Sequence, residues 1–290
     1  MEPPLLSVCV ITYNHVNYIR QAIEGVLMQK TSFNFNLIIA DDFSTDGTRE
    51  IILEYKRKNP EKIDLILQSS NVGGAQNWIN LLDSPKSKYI AYLEGDDYWI
   101  DEQKLEKQVQ ILEAESDIVL VFHNTLDDVK GIKKMKYEHP LKSTFDFDDF
   151  ASFLYARSLS IVFRNLKSKL PDPFKFLRLG DWPFALYLLQ DGKARYLHET
   201  MGVYRFHEAG VWNQASPTVN TQRVFETFLH VKSILRPEFW PAIDARLYFY
   251  SLSYVKASLL SAKLRNAFTG LKWFLTPPSN LKIIKLKSSK

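Results

Sequence analysis

Short apolar runs alternate with amphipathic segments through the first third of the chain, and this alternation restricts the fold more than any other feature of the sequence. The apolar runs predict strands at 7–13, at 35–40, at 63–68 and in a fourth segment that begins at Tyr89. The segments between them have the apolar spacing of helices, at 17–29, at 48–58 and around Trp78. This order predicts right-handed βαβ units and an α/β fold with a mostly parallel central sheet.

Polar residues lie at or just beyond the carboxyl ends of all four predicted strands. They are Tyr13-Asn14, Asp41-Asp42, Asn71 and the segment from Glu94 to Asp97. Ligands of open α/β sheets bind in the crevice outside this edge, so we expect the four segments to face one site. The sequence contains neither Gly-x-Gly-x-x-Gly after the first strand nor Gly-x-x-x-x-Gly-Lys-Ser/Thr. A dinucleotide-dependent dehydrogenase and a P-loop enzyme are therefore disfavoured.

The fourth predicted strand ends in an unusual concentration of negative charge, since it reads YIAYLEGDDYW from Tyr89 to Trp99. Removing an isolated carboxylate from water costs several kcal/mol, so a buried strand that ends in three acids needs a compensating partner. A divalent cation that bridges to a phosphate supplies one, because hard cations prefer carboxylate and phosphate oxygens. The alternative is an acidic turn that only caps the next helix.

Four motifs of the sequence resemble those of a known enzyme family. They are SVCVITYNHVNYIRQAI, LIIADDFSTDGTREII, NVGGAQNW and YIAYLEGDDYW. In this order and spacing, over about residues 5 to 110, they resemble the inverting family 2 glycosyltransferases of bacterial polysaccharide biosynthesis. The resemblance implies the GT-A fold, with a Rossmann-like sheet flanked by helices. It also implies a nucleotide-sugar donor (usually a UDP-sugar), Mn²⁺ or Mg²⁺, and a glycan or lipid-linked saccharide as acceptor.

The donor-binding residues are assigned on the same motifs. We expect Tyr13 to line the base pocket with Thr12 beside it, and the resemblance implies that Asp41 accepts a hydrogen bond from the base. The full set of donor-binding candidates is Thr12, Tyr13, Asn14, Asp41, Asn71, Asp96 and Arg205. Strand termination is the alternative for the first two. Three further polar residues, Asp42, Ser44 and Asp46, are interpreted as caps of the helix that begins near Gly47.

The metal ligands are predicted to be Asp97 and His207. The acids do not form a strict Asp-x-Asp, so Glu94 and Asp96 remain alternatives to Asp97 as the direct ligand. Asp181, in the sequence GDW, is the predicted catalytic base, since the family places an acid at a helix start opposite the metal. A carboxylate near a helix N-terminus stays ionised, which suits a base. The alternative is that Asp181 is only a helix cap.

The chain is predicted to form a glycosyltransferase domain at 1–215 and a helical region with a basic tail at 216–290. The first domain divides into a nucleotide-sugar half at about 1–115 and an acceptor half at 116–215. A helix is predicted at 104–113, just before the acceptor half. Within that half we expect a strand at 118–123, a surface loop or weak hairpin at 125–142, and a helix at 145–154. Further strands are predicted at 159–163 and 194–197, and the segment 202–206 then leads to His207.

Composition limits the location and the partners. The single cysteine, Cys9, lies in an apolar run and reads as a core residue, which fits a reducing, cytoplasmic compartment. We expect neither a signal peptide nor a transmembrane helix. From Ala245 to Lys290 the chain has nine basic residues and no acidic one, although its overall net charge is only +4. Either the helix in this region contacts an anionic membrane surface from the cytoplasmic side, or it packs on the catalytic domain and the lysine-rich end is a solvated tail. Nucleic-acid binding is disfavoured because the rest of the chain is acidic.

Two other functions are considered. A nucleotidyltransferase has a similar sheet and paired acids, but it needs a phosphate loop rich in glycine and basic residues near the first strand, and SVCVITYNH has none. A non-catalytic protein that binds a sugar nucleotide or a glycan remains an alternative if the acids are not correctly positioned for catalysis.

Overall fold

The structure is a computed structural model that describes residues 3–165, 169–176, 180–207, 216–260 and 264–276. The strands in this part of the chain are β1 (Leu6–Thr12), β2 (Phe35–Asp41), β3 (Ile63–Leu67), β4 (Tyr89–Glu94), β5 (Tyr98–Trp99), β6 (Ile118–Val129), β7 (Ile132–Met135), β8 (Thr144–Phe145), β9 (Val162–Arg164) and β10 (Lys193–Phe206). The helices are α1 (Ile19–Leu27), α2 (Thr48–Lys58), α3 (Gly74–Leu82), α4 (Lys104–Ala114), α5 (Phe147–Ser152), α6 (Asp181–Leu188), α7 (Pro217–Lys232), α8 (Trp240–Leu260) and α9 (Leu264–Leu275).

All of these strands belong to one sheet, in the order β3-β2-β1-β4-β9-β6-β10-β5, with β7 beside β6 and β8 beside β10. The pairs among β3, β2, β1 and β4 are parallel, as predicted. Strand β9 runs antiparallel to both β4 and β6, and β6 is parallel to β10. The carboxyl ends of β1, β2, β4 and β10 therefore lie at the same edge. The second half of the sheet is mixed, so "mostly parallel" describes the nucleotide-sugar half only.

Helices cover both faces of the sheet, because alternate side chains of its strands point in opposite directions. In β1, Val8 and Val10 face the layer formed by α1, α2 and α4, whereas Cys9 faces the other layer. That second layer contains α3, α5, α6, α7 and α8 and is rich in aromatic side chains. The three-layer α/β arrangement is the one predicted from the alternating runs.

The acceptor half differs from the sequence prediction in several elements. Segment 125–142 forms a hairpin in which β6 continues to Val129 and pairs with β7. The helix predicted at 145–154 is only α5, because Asp146 caps it through the Asp149 N–H and Phe145 belongs to β8. The strand predicted at 159–163 begins with a 3-10 turn, Ser158–Ser160, before β9. The strand predicted at 194–197 is the first part of a longer strand, β10, which continues to Phe206 with bulges after Leu197.

The helices of the C-terminal region pack onto the α/β domain. Phe225, Phe228, Ile243 and Leu247 are buried in the same hydrophobic cluster as Trp182 of α6. The Arg246 Nε–H also donates to the Ala151 carbonyl at 2.6 Å. Among the described residues, no helix is both long enough and apolar enough to span a membrane. The basic tail from residue 277 onward lies outside the described residues.

Candidate active site

A cleft of about 660 Å³ opens at the carboxyl edge of the sheet. One wall carries the end of β4, with Glu94 and Asp96, and the end of β10, with Arg205 and His207. Asp181, at the start of α6, lines the same cleft. The parallel register places Thr12 beside Asp41 and Ile11 beside Glu94, so β1 lies between the two acidic strand ends. The structure therefore assembles the edge that the strand ends predicted.

The three acids at the end of β4 form one cluster. Glu94, Asp96 and Asp97 each offer a carboxylate oxygen within 4.8 Å of the others. The Ser158 hydroxyl donates to Glu94 Oε2 at 2.7 Å. Asp97 is 1% exposed, and its Oδ2 has no hydrogen-bond partner in the described structure.

The tight turn after β4 requires glycine at position 95. A Cβ there would lie 2.8 Å from Thr12 Oγ1 and 3.0 Å from His15 Nδ1, closer than van der Waals contact allows. The turn thus passes directly over the end of β1. Because of this close approach, Asp96 and Asp97 lie next to the residues that follow the first strand.

Burial and mutual repulsion separate the proton affinities of the three acids. Burial, together with the charge of Asp96, raises the pKa of Glu94 to about 8. The same two causes, with the charge of Glu94 added, raise the pKa of Asp97 well above its usual value. Burial of Asp96 acts in the same direction, but the hydrogen bond with His207 and the charge of His15 outweigh it and lower its pKa. Asp96 is therefore the acid that is most readily ionised.

Arg205 connects the acidic turn to β10. Its backbone N–H donates to Asp97 Oδ1 at 2.8 Å, and its guanidinium donates to the Asp96 carbonyl at 2.5 Å. The guanidinium also donates to Gln21 and lies 4.2 Å from the ring centroid of Tyr98. Arg205 thus fixes the turn by backbone and side-chain contacts at once.

The histidines near the cluster lie on either side of Asp96. His207 Nε2 is 2.8 Å from Asp96 Oδ2, and His15 Nε2 is 3.8 Å from the same oxygen. The hydrogen bond to Asp96 raises the pKa of His207, whereas burial lowers the pKa of His15. His207 was predicted from its sequence context, but nothing in the sequence singled out His15.

This donor set fits a divalent cation. Three clustered carboxyl groups repel one another, and the buried Asp97 Oδ2 lacks a partner among the described residues. A cation relieves both costs, because carboxylate oxygens are the ligands that Mg²⁺ and Mn²⁺ prefer. Glu94, Asp96 and Asp97 are the side chains whose oxygens lie close enough together to hold it, and His207 is bonded to Asp96 beside them.

Asp181 begins α6 and lines the same cleft as Glu94 and Asp96. Its Oδ1 accepts a hydrogen bond from the Trp182 N–H at 2.8 Å. Asp181 is the first residue of the helix and Gly180 is its N-cap, so the alternative that Asp181 is only a helix cap is wrong. Burial raises the pKa of Asp181, while that N–H and the charges of Arg157 and Lys136 oppose the increase. A carboxylate with a raised pKa is a stronger base once ionised. The Trp182 ring, which also lines the cleft, is held by a 2.6 Å bond from its Nε1–H to the Phe150 carbonyl.

The other predicted donor-binding residues lie at the same edge but outside the lining of the cleft. Thr12 is 2% exposed and Tyr13 is 45% exposed. Asp41 is fully buried and accepts a hydrogen bond from Arg49 Nε–H at 2.6 Å. The Asp41 carboxylate already has a cationic partner in Arg49. Contact between Asp41 and the base of a nucleotide therefore requires a rearrangement of this pair.

Side-chain bonds between loops organise this region. Asn14, with φ of 54°, donates its N–H to Ser44 Oγ, and its Oδ1 accepts from the Thr45 N–H. Asp46 accepts from the Thr48 N–H at the start of α2, as predicted for a cap. Asp42 instead accepts from the N–H groups of Val72 and Gly73, at 2.7 and 3.0 Å. Asn71 is exposed and donates to the Asp42 carbonyl, so Asp42 holds the glycine loop against β2.

Comparison with known proteins identifies the family. The sequence profile described as "Glycosyl transferase family 2" matches residues 7–179. The chain belongs to glycosyltransferase family 2.

Curated relatives of this family 2 chain include an uncharacterised Mycobacterium tuberculosis protein, 34% identical over 212 residues. That match covers 72% of this chain and 61% of the relative, so the chain spans less than two thirds of the mycobacterial protein's length. The Bacillus subtilis protein TuaG, named for a glycosyltransferase of teichuronic acid biosynthesis, is 28% identical over 79% of this chain and 92% of its own length.

Solved structures with similar folds are more distant in sequence. A mannosyltransferase from Pyrobaculum calidifontis, in complex with GDP-Man and Mn²⁺, matches with a TM-score of 0.60 and 15% identity over 94% of this chain and 75% of that one. Staphylococcus aureus TarS in complex with UDP matches with a TM-score of 0.57 and 15% identity over 92% of this chain and 90% of that one. These similarities show the GT-A fold of the family 2 chain.

Several cleft residues of this family 2 member were not predicted. Arg157 and Lys136 line the cleft. So do aromatic side chains of β4, β10 and α8, namely Tyr92, Tyr204, Phe206 and Tyr250. Lys136 lies in segment 125–142, which the sequence predicts only as a loop or weak hairpin. Arg157 lies in an irregular segment. Neither has a local pattern around it that could have distinguished it from a surface cation.

Proposed function

We propose that the chain is an inverting glycosyltransferase that moves a sugar from a nucleotide diphosphate, with a UDP-sugar as the expected donor, to an acceptor hydroxyl. The observation that carries this proposal is the cleft itself, which is lined by Glu94 and Asp96 of the acidic cluster and by the carboxylate of Asp181. Family membership and the name of TuaG favour a glycan or lipid-linked saccharide of the cell surface as acceptor. Both the donor and the acceptor are part of the proposal.

The donor is assigned to the side of the cleft next to the acids. Thr12, Tyr13 and Asn14 would contact the nucleoside together with Asp41 and Asn71, because all five follow or end strands at this edge. Asp96 and Arg205 would contact the ribose and the diphosphate. The guanidinium of Arg205 is already oriented by the Asp96 carbonyl, which reduces the entropy lost on binding.

The metal site is assigned to Asp97 and His207, with Asp96 and Glu94 beside them. Bound Mn²⁺ or Mg²⁺ would supply positive charge where the departing diphosphate gains negative charge. The Mn²⁺ named with the Pyrobaculum mannosyltransferase supports this assignment by analogy of fold alone. The unpartnered Oδ2 of Asp97 supports it from this chain's own geometry.

Asp181 is assigned as the catalytic base. Its carboxylate takes the proton of the acceptor hydroxyl as that oxygen attacks the anomeric carbon, and the bond from this carbon to the diphosphate oxygen breaks. Attack from the side opposite the leaving group inverts the configuration. The Trp182 N–H holds one carboxylate oxygen in place, which preserves the orientation of the base during the reaction.

The base assignment is tested by replacing Asp181 with Asn. The amide can still accept the Trp182 N–H but cannot take a proton, so we expect transfer to slow by at least about a hundredfold. Donor affinity with Mn²⁺ should change little, because Asp181 does not touch the nucleotide in this assignment. Transfer is followed by nucleotide release in a coupled assay, and affinity by calorimetry, after a thermal-shift screen of UDP-, GDP- and dTDP-sugars has selected the donor.

Asp148→Asn is the matched control, since Asp148 lies at the start of α5 and is exposed. It should behave as wild type in both measurements. Normal turnover by the Asp181→Asn variant would show that another group removes the proton.

We also propose that the protein is cytoplasmic and contacts the inner face of the plasma membrane through its C-terminal helices. In α8, Tyr248, Phe249, Leu252 and Leu259 are exposed, and in α9 so are Leu271 and Leu275. Lys256 and Lys272 are exposed in the same helices. No acidic residue occurs from Ala245 to Lys290, so this surface is complementary to anionic lipid headgroups.

A further inference from the structure

The part of the cleft next to Asp181 contains cations that the proposed reaction does not use. Lys136 directly follows β7, and Arg157 directly precedes the 3-10 turn Ser158–Ser160. Both side chains line the cleft together with Asp181. The backbone N–H of Lys136 donates to the Thr125 carbonyl at 2.9 Å, so the hairpin fixes its position.

The charge of Arg157 is matched within the protein. Its guanidinium donates to Asp127 Oδ2 at 2.9 Å and lies 4.3 Å from the ring centroid of Tyr204. These contacts hold the side chain against β6 and β10. Arg157 is therefore a compensated, oriented cation that adds positive potential to the cleft.

The charge of Lys136 has no such partner. Its Nζ donates to the Tyr155 carbonyl at 2.7 Å, and no carboxylate of the described residues lies within ion-pair distance of it. Burial and the neighbouring Arg157 lower the pKa of Lys136 to about 7. Asp127 is already bonded to Arg157, and Asp181 interacts with Lys136 only at longer range. An ammonium in this position gains more from an incoming anion than a surface lysine does, since less water screens the interaction.

The remaining wall is largely apolar. Phe153, Leu154, Val224 and Tyr250 line it alongside Trp182. These side chains suit the faces of a sugar ring and leave few polar groups to bind a charged substituent. Lys136 and Arg157 are the cations beside this wall, and Lys136 is the one whose charge no described carboxylate pairs with, so we expect it to bind a charged substituent of the acceptor.

We propose that the acceptor carries a negatively charged group, a carboxylate or a phosphate, and that Lys136 binds this group next to Asp181. The inference rests on the proposed function, because it treats this part of the cleft as the acceptor site. It adds the substrate class: an anionic saccharide such as a uronate, or a sugar or polyol phosphate.

The test compares three ligands of similar skeleton that differ in charge. Glucuronate, glucose 6-phosphate and glucose are titrated into the full-length protein with UDP and Mn²⁺ present, and binding is followed by tryptophan fluorescence, because Trp182 and Trp78 line the cleft. We expect at least one anionic sugar to bind about tenfold more tightly than glucose, the size expected for a charge-assisted hydrogen bond. The anionic sugar that binds identifies the group as carboxylate or phosphate.

Lys136→Met should remove this preference and leave the affinity for glucose unchanged, whereas Lys136→Arg should retain most of it. Lys134→Met is the matched control, because Lys134 is an exposed lysine of β7 outside the cleft lining. Thermal unfolding of each variant identifies any loss of folding. The inference is overturned if neither anionic sugar binds more tightly than glucose, or if Lys136→Met lowers the affinity for all three sugars equally. It is also overturned if Lys134→Met removes the preference for an anionic sugar as Lys136→Met does.

Binding is measured without sugar transfer, so the two proposals fail separately. Anion preference without any transfer activity would contradict the proposed function alone. Transfer to glucose with no anion preference would contradict only the inference about Lys136.

Discussion

At the scale of single residues, Asp97 has the most unusual environment in the site. One carboxylate oxygen accepts from the Arg205 N–H, while the other is buried without a partner among the described residues. Its raised pKa means that the folded protein without metal favours the neutral acid. An amide has nearly the shape of that acid but is a weaker metal ligand. Metal binding and metal-free stability can therefore be separated at this position.

For Asp97→Asn we expect the metal-free protein to unfold at nearly the wild-type temperature and Mn²⁺ to stabilise it little. A ligand at a hundred times its dissociation constant stabilises a folded protein by about 2.7 kcal/mol, and the variant should lose most of this gain. Differential scanning fluorimetry with and without Mn²⁺ measures both quantities.

Asp148→Asn again serves as control and should keep the full Mn²⁺ response. If Asp97→Asn responds to Mn²⁺ as strongly as wild type does, Asp96 or Glu94 holds the metal and the assignment of Asp97 must be replaced.

Sequence reasoning identified the acidic cluster but not the residues that orient it. The acids were recognisable because three of them follow a strongly apolar strand, a combination that is costly without a partner. Arg205 was assigned to the donor, yet its bond to Asp97 joins residues 108 positions apart. Lys136 and Arg157 have no comparable local signal, since a lysine or arginine in an irregular segment is usually solvated.

At the scale of elements, the two-residue strand β5 connects the acidic turn to the rest of the fold. It pairs with β10 through Tyr98 and Trp99, and the Trp99 Nε1–H donates to the Leu159 carbonyl at 2.8 Å. Helix α1 packs against its backbone at Gly25, where a Cβ would lie 3.0 Å from Trp99 N and 3.1 Å from Trp99 O. Backbone atoms cannot move aside as a flexible side chain can.

Gly25→Ala should therefore destabilise the protein by about 1–3 kcal/mol, the usual cost of overpacking a core. Urea unfolding followed by circular dichroism measures the change in the free energy of unfolding. We also expect weaker Mn²⁺ stabilisation, because displacement of β5 moves the adjacent Asp97.

The control is Gly74→Ala, at the start of α3, where an added Cβ meets nothing within 4 Å. There the substitution should be neutral or stabilise by up to about 1 kcal/mol, because alanine loses less backbone entropy. Equal effects at the two glycines would contradict the proposed close packing at Gly25.

The elements of the nucleotide-sugar half follow the sequence prediction more closely than those of the acceptor half. In the first half, uninterrupted apolar runs and regular helical spacing locate β1 to β4 and α1 to α3. In the second half, β10 contains the polar stretch from His198 to Thr200, where bulges change its register against β6. Such a strand has no simple two-residue period, so the sequence predicts only its first part as a strand.

At the scale of the whole molecule, the C-terminal helices complete the second helical layer of the sheet. Trp182 packs edge-on against Phe228 of α7, with ring centroids 5.0 Å apart, and near Tyr250 of α8. The predicted boundary at 215/216 thus separates regions that share a hydrophobic core. The opposite side of α8 and α9 remains exposed and apolar.

The membrane proposal is tested by co-sedimentation of the full-length protein with vesicles. Vesicles containing phosphatidylglycerol should bind the protein more strongly than vesicles of phosphatidylcholine alone. Salt should weaken the binding to the phosphatidylglycerol vesicles. The double variant Leu252→Gln, Leu259→Gln should lower the affinity about tenfold, because it removes apolar area from the exposed face.

Val129→Gln, Ile132→Gln is a matched control, since these residues of the β6–β7 hairpin are also exposed, at 48% and 66%. It should sediment with the vesicles as wild type does. Equal loss in the two double variants, or no loss in either, would contradict membrane contact through α8 and α9.

The sequence alone determined the α/β class, the order of the first elements and the edge at which the acids lie. These properties depend on the period of apolar residues and on strand ends, which are encoded by neighbours along the chain. Only the tertiary structure brought Asp181, His207, Arg205 and Lys136 to one cleft with the acids of β4. Contacts between such distant segments form when the sheet and its two helical layers close, and no local pattern of residues encodes them.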